Sequence, residues 1–120
     1  VQLPQFVFAL DIVNLLAASY ASNSGLEEEN FDVAFASDLM SDVLTIERSN
    51  VLLITGLSNI QTIRTADMAD IKCIVLGRGK KATEEMIELA VDSGITVIEC
   101  EYSLFHISGL LYGEGIEPLY

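Results

Sequence analysis

A basic pentapeptide, GRGKK at residues 77–81, is the stretch whose residue types most directly suggest chemistry. It holds three of the six Lys and Arg residues of a 120-residue chain with a formal net charge of −12. Glycines expose backbone N–H groups, and Arg and Lys attract phosphates and carboxylates. The pentapeptide predicts an anion-binding turn. The alternative is a solvated basic turn, balanced by Glu84, Glu85 and Glu88 of the helix that follows.

The same stretch does not meet the requirements of a phosphate-transferring P-loop. That motif needs G-x-x-x-x-G-K-[ST], in which the final hydroxyl binds magnesium. Counting back from Gly79 and Lys80 places Ile74 where the first glycine belongs, and Lys81 stands where the motif has Ser or Thr. We therefore predict that the chain is not an enzyme and has no catalytic residues.

Cys100 and His106 are the remaining combination of nucleophile and base, but no third group in the sequence pattern orients the histidine. Cys73 and Cys100 stand in apolar runs without CxxC spacing, which predicts buried thiols rather than a disulfide or metal ligands. With one histidine in the chain, we expect no metal site, and the sequence does not identify a cofactor, which stays unknown.

The elements that position the basic turn follow a repeated pattern. From residue 51 onward an apolar run precedes a helical pattern three times: VLLIT and IQTIRTADMAD, CIVL and TEEMIELAVDSG, ITVIE and SLFHISGLLY. Unbroken apolar strands that alternate with helices predict a mainly parallel sheet in a three-layer α/β/α fold. Ser58 and Gln61 predict a capping box, while Thr83 and Gly94 predict the two ends of the second helix.

Loops that follow parallel strands meet at the carboxyl edge of the sheet, where open α/β folds bind ligands. The loops after VLLIT and CIVL offer hydroxyls, glycines and helix N-termini. We therefore predict that this edge binds a small anion, and the predicted ligand-binding residues there are Thr55, Gly56, Ser58, Asn59, Gly77, Arg78, Gly79, Lys80, Lys81 and Thr83.

Two further candidates, Asp38 and Asp42, stand four residues apart in SDLMSD. On a helix this spacing places both carboxylates on one face, where they would recognise ligand hydroxyls or a divalent ion. The alternative is that Ser37 or Asp38 caps the short helix and Asp42 is solvated.

Composition excludes several classes of partner. With 18 acidic and six basic residues, the chain is expected to bind neither nucleic acid nor anionic membranes. Asp11 and Asn14 interrupt the most apolar stretch, QFVFALDIVNLLAASYA, so it predicts neither a signal peptide nor a membrane span. We expect a cytoplasmic protein with an N-terminal extension over residues 1–9 and one domain over residues 10–120.

Three segments, FASDLMSDVL, LLITGLSNIQTIRTADMADIKCIVL and ATEEMIELAVDSGITVIECEYSLFHISGLLY, resemble the DRTGG domain family. The resemblance covers approximately residues 10–113. It implies a fold similar to the N-terminal domain of HPr kinase/phosphorylase, and a regulatory domain, often dimeric, without catalytic machinery. Many members have Thr-Gly-Gly where this chain has Gly77, Arg78 and Gly79.

We therefore expect a non-catalytic regulatory module that senses a small anionic metabolite or nucleotide, as a homodimer. The alternative is a protein-interaction subunit of a redox or hydrogenase-type enzyme system with no small-molecule ligand. In that case the apolar C-terminal stretch SGLLYGEGIEPLY and the acidic surface would dock the partner.

Overall fold

The computed structural model describes residues 7–25 and 30–120. The elements within these ranges are β1 (Val7–Phe8), α1 (Ala9–Leu15), β2 (Ser19–Ser22), β3 (Asn30–Phe31), β4 (Val33–Ala36), α2 (Met40–Val43), β5 (Val51–Thr55), α3 (Ile60–Met68), β6 (Cys73–Leu76), α4 (Glu84–Ser93), β7 (Thr96–Glu99), α5 (Leu104–Gly113) and β8 (Glu117–Pro118).

Six strands form one sheet in the order β2-β7-β6-β5-β4-β8. Strands β4 to β8 pair in parallel, and β2 adds an antiparallel edge against β7. Strands β1 and β3 form a separate antiparallel pair. The prediction of a mainly parallel sheet is confirmed, although the sequence pattern did not predict β8.

Both faces of the sheet are covered, which explains the unbroken apolar strands. All five residues of β5 are buried. Leu52 and Ile54 pack in the same cluster as residues of α1 and α5, whereas Leu53 packs on the opposite side with Ile63 of α3 and Ala90 of α4. Neighbouring side chains of a strand point to opposite faces, so each apolar residue finds a helix. The predicted three-layer α/β/α fold is confirmed.

The caps of the helices agree in part with the predictions. The Thr83 hydroxyl accepts a hydrogen bond from the Met86 N–H at 3.1 Å, and α4 ends at Gly94, whose φ of 70° is left-handed. The predicted Ser58–Gln61 capping box is wrong. Asn59 caps α3 by accepting from the Thr62 N–H at 3.2 Å. The Ser58 hydroxyl instead donates to the Lys81 carbonyl oxygen.

The N-terminal pair β1 and β3 and helix α1 add residues to the α1/α5 side of the core. Val7 and Phe8 pair with Phe31 and Asn30, and α1 begins directly afterwards at Ala9, which is buried. Residues 1–6 of the expected extension and residues 26–29, three of which are glutamates, lie outside the described residues.

Candidate ligand-binding edge

The loops that follow four parallel strands meet at the carboxyl edge. The Ser37 N–H donates to the Ile54 carbonyl oxygen at 3.0 Å, and the Gly77 N–H donates to the Thr55 carbonyl oxygen at 2.9 Å. On the far side, the Gly79 N–H donates to the Cys100 carbonyl oxygen at 3.0 Å. These bonds extend the strand register into the loops, so the loops after β4, β5, β6 and β7 lie side by side.

The Asp38 carboxylate is the centre of this edge. Its Oδ1 accepts from the Gly56 N–H at 2.7 Å and from the Thr55 hydroxyl at 2.9 Å. Its Oδ2 accepts from Arg78 Nη1 at 3.0 Å. One carboxylate thus receives a backbone donor, a hydroxyl and a guanidinium from the loops after β5 and β6.

These contacts determine the protonation of Asp38. The hydrogen bond from the Gly56 N–H is the main cause that lowers the pKa of Asp38 below its ordinary value of 3.8. Burial is the next largest effect and raises the pKa, while the Thr55 hydroxyl and Arg78 lower it, so that the net shift is downward. Asp38 therefore carries its charge at neutral pH.

The prediction that Asp38 and Asp42 share a helix face is wrong. Helix α2 begins at Met40, so Asp38 precedes the helix and turns toward β5, while Asp42 is exposed on the helix. Asp38 does not cap α2 either, because Leu39 is the N-cap residue and makes no side-chain cap bond. The Ser37 hydroxyl accepts from the Leu39 N–H at 3.0 Å.

Arg78 lies in a backbone conformation that is uncommon for arginine. Its φ is 59°, in the left-handed region, and its N–H donates to the Tyr102 carbonyl oxygen at 2.7 Å. Its guanidinium crosses Gly56, with Nη2 3.3 Å from the Gly56 carbonyl oxygen. A methyl group at Gly56 would overlap this guanidinium, so a side chain at that position would have to displace Arg78.

The two lysines of the basic turn differ in their surroundings. Lys81 Nζ lies 3.4 Å from Glu101 Oε1 and 4.0 Å from Glu99 Oε1. Glu99 is mostly buried, and its Oε2 also accepts from the Ala82 N–H at 2.7 Å. Lys80 is exposed and forms no ion pair within residues 7–25 and 30–120. The turn is therefore partly neutralised by its neighbours.

Sequence reasoning missed the acidic partners of this turn. Glu99 ends β7 and Glu101 follows it, so their position on the strand next to β6 was a usable signal. Tyr102 was also missed; its ring stacks on His106 with centroids 4.1 Å apart. The position of Glu88 on α4 suggested a different balancing charge, but the ion pairs of the described residues include none between Glu88 and the basic turn.

Clefts also lie elsewhere on the described surface. One of about 170 Å³ is mostly apolar and lies beside α5, lined by Ala34, Ala36, Ile54 and Tyr112 among others. A wider groove of about 470 Å³ separates α3 from α4 and is lined by Ile60, Arg64, Asp67, Met68, Glu85, Glu88, Leu89 and Asp92. No residue of the basic turn lines either cleft.

The cysteines belong to the core. Cys73 and Cys100 are buried free thiols on the α1/α5 side of the sheet. Burial raises the pKa of Cys73 to about 12, and burial is also the main cause of the raised pKa of Cys100. Within the described part of the chain, no group of three or more His, Cys, Asp or Glu side chains is arranged to hold a metal ion.

The C-terminal stretch is integrated into the domain. Ile116 is buried, β8 pairs with β4, and the Leu119 N–H donates to the Ala34 carbonyl oxygen at 3.1 Å. Tyr120 packs edge-to-face on Phe35. Removal of this stretch would therefore disturb the sheet as well as any docking surface.

Among the described helices, none has the length and apolar character needed to cross a membrane.

Comparisons with known proteins identify the fold. No protein-family model matches the chain, and a search of curated proteins finds no match. Among solved structures, the chain is similar to the CBS and DRTGG domains of the regulatory region of Clostridium perfringens pyrophosphatase, crystallised with its activator diadenosine tetraphosphate. The TM-score is 0.77 at 18% identity, and the match covers 92% of this chain and 48% of that chain. The chain thus spans about half the length of that structure, and the predicted DRTGG-like fold is confirmed.

Proposed function

We propose that this domain is a non-catalytic regulatory module that binds a small anionic metabolite or nucleotide at the carboxyl edge of its sheet. The observation that carries the proposal is the set of donors around Asp38. The Gly56 N–H, the Thr55 hydroxyl and the Arg78 guanidinium converge on one carboxylate of the chain itself. Charged and backbone donors in this combination are those that bind an anionic ligand in other proteins.

The lysines supply the charge for such a ligand. Lys80 is exposed, and the ion pair of Lys81 with Glu101 joins two exposed side chains. Exposed ion pairs contribute about 0–1 kcal/mol, so a phosphate with two charges would compete effectively for Lys81. The site would then use Lys80 and Lys81 directly, with Arg78 at its inner end.

The similar pyrophosphatase region supports the class of ligand. That region was crystallised with diadenosine tetraphosphate as its activator, which makes adenine nucleotides the first ligands to test here. The proposal includes the cytoplasmic, homodimeric state expected from the sequence. Its cytoplasmic part is supported by the two free thiols, which suit a reducing compartment.

A thermal-shift titration tests the proposal with diadenosine tetraphosphate, ATP, AMP and inorganic phosphate as probes. A ligand at 100 times its Kd adds about 2.7 kcal/mol of stability, which raises Tm by several degrees in a domain of this size. Lys80→Ala/Lys81→Ala removes two cations at the carboxyl edge. Arg48→Ala/Lys72→Ala is the matched control, since it removes two paired cations elsewhere on the surface.

A shift that is lost in the first variant and kept in the control supports the proposal. A flat response to all four probes contradicts ligand binding by this module. Equal loss of the shift in both variants would mean that net charge alone determines the response, and the carboxyl edge would be abandoned as the site.

The groove between α3 and α4 favours a second candidate, the docking subunit of a redox enzyme. Glu85, Glu88, Asp67 and Asp92 line this groove beside an exposed Met68, which suits a basic, amphipathic partner segment. A flat ligand screen, together with loss of a redox-enzyme partner on Glu85→Lys/Glu88→Lys, would favour this function. Retained binding by that variant would exclude the groove.

A further inference from the structure

We propose that the outer face of α5 is the contact between two copies of this chain. This inference rests on the homodimeric state in the proposed function and deepens it by naming the surface. Phe105 and Tyr112 are 90% and 69% exposed, and Gly109 lies between them. Residues at i, i+4 and i+7 share one side of a helix, so these three form a stripe. Ile107 and Leu111 of the same helix face the core.

The charge of the molecule favours a second copy as the occupant. Helix α5 contains no Asp, Glu, Lys or Arg, whereas α1, α2, α3 and α4 each contain at least one acidic residue. Two chains that each carry a net charge of −12 repel each other least where their contact surfaces are uncharged. A basic partner would find no carboxylate to pair with on this helix. A second α5 helix is also uncharged, so it does not need one.

Gly109 would allow the backbones of two α5 helices to approach closely. An ideal Cβ at this residue meets no atom within 4 Å, so internal packing does not require glycine there. Glycine weakens a helix relative to alanine, so its presence on an exposed face calls for another reason. Close approach of a second backbone is such a reason. It would place Gly109 at the crossing point of two α5 helices.

The stripe is complementary to itself when two helices run antiparallel. Phe105 lies four residues before Gly109, and Tyr112 lies three residues after it. A two-fold axis near Gly109 therefore brings Phe105 of one copy beside Tyr112 of the other, twice. Edge-to-face or offset stacking of aromatic rings would then occur on both sides of the axis.

The exposed aromatic area of this stripe is consistent with the core of a dimer interface. At their exposed fractions, the two rings offer about 300 Å² per chain, against about 800 Å² per partner in a standard interface. The mostly apolar cleft lined by Ala34, Ala36, Ile54 and Ser108 also borders Tyr112, so it extends the surface in one direction, and Glu117 is its one charged lining residue.

Sedimentation velocity over a wide concentration range tests the inference with the full chain. Phe105→Glu introduces charge into the stripe and should raise the dimer Kd by about tenfold or more. Val91→Glu is the matched control, because Val91 is an apolar residue that is 61% exposed on α4 and the substitution adds the same charge. Gly109→Leu should also weaken the dimer without adding charge. Circular dichroism confirms that each variant is folded.

The outcomes separate this surface from the rest of the proposed function. A wild-type chain that stays monomeric overturns both the homodimer and the α5 contact. A dimer that survives Phe105→Glu or Gly109→Leu, or that Val91→Glu weakens equally, overturns the α5 contact alone. Added salt should tighten the wild-type dimer, because it screens the repulsion between two acidic chains; weakening by salt would contradict an uncharged contact. The nucleotide titration tests ligand binding independently.

Discussion

The carboxyl edge and the outer face of α5 differ in whether their side chains have partners within the chain. At the edge, Asp38 and Arg78 pair with each other and with backbone groups of neighbouring loops. On α5, Phe105 and Tyr112 extend into solvent. A ligand at the edge must therefore replace contacts that the chain already makes, whereas a partner on α5 would add contacts that a single chain lacks.

This difference has a thermodynamic consequence. Substitutions at the edge should change the free energy of unfolding of one chain, since they remove internal hydrogen bonds. Substitutions on the outer face of α5 should leave that free energy nearly unchanged and alter association instead. Four substitutions test this separation.

Asp38→Ala should have the largest effect. It removes the acceptor for the Gly56 N–H and the Thr55 hydroxyl, both of which are buried, and leaves Arg78 without its carboxylate. We expect a loss of about 2 kcal/mol in the free energy of unfolding, measured by urea denaturation. Asp42→Ala is the matched control and should cost less than about 0.5 kcal/mol. Equal losses would mean that the Asp38 contacts do not stabilise the edge.

Gly56→Ala should cost about 1 kcal/mol, because the new methyl group displaces the Arg78 guanidinium from Asp38 and from the Gly56 carbonyl oxygen. A double-mutant cycle identifies the cause. In an Arg78→Ala background the same methyl group has no guanidinium to displace, so Gly56→Ala should then be nearly neutral. A cost that persists in this background would mean that other atoms crowd Gly56.

The charge on Asp38 should contribute a smaller, pH-dependent part of this stability. Because its folded pKa lies below 3.8, the contribution is fully present above pH 3.8 and is lost as the pH falls through the folded pKa. Asp38→Asn lacks this charge, so we expect wild type to be more stable at neutral pH by under about 1 kcal/mol after solvent screening. Urea titrations should show the gap narrowing below pH 3.8. A gap that widens there would contradict the lowered pKa.

The sequence was sufficient to predict the parallel sheet and the edge at which its loops lie together. Unbroken apolar runs such as VLLIT require cover on both faces, and parallel strands bring the following loops to one edge. The pairing of charges at that edge depends on side-chain directions across neighbouring strands. Spacing along the chain does not contain this information, so Glu101 was missed as the partner of Lys81.

The error at Asp38 has a similar physical origin. SDLMSD fits a helix start, so the sequence left a local cap by Ser37 or Asp38 as the alternative to ligand binding. The donors of Thr55 and Gly56 are 17 and 18 residues away in sequence, and together with Arg78 they outcompete the local cap. Strand β8 was missed because EP is short and proline is depleted in strands, although edge positions accept it.

Phe105→Ala should have the smallest effect on the folded chain. The ring is 90% exposed, so its removal takes away little buried area and should change the free energy of unfolding by less than about 0.5 kcal/mol. Urea denaturation of dilute, monomeric protein gives this value. The same substitution should weaken association at high concentration, since the ring would be buried only between two chains. If dilute protein lost 1 kcal/mol or more, the ring would have contacts within its own chain, and the contrast between the edge and α5 would not hold.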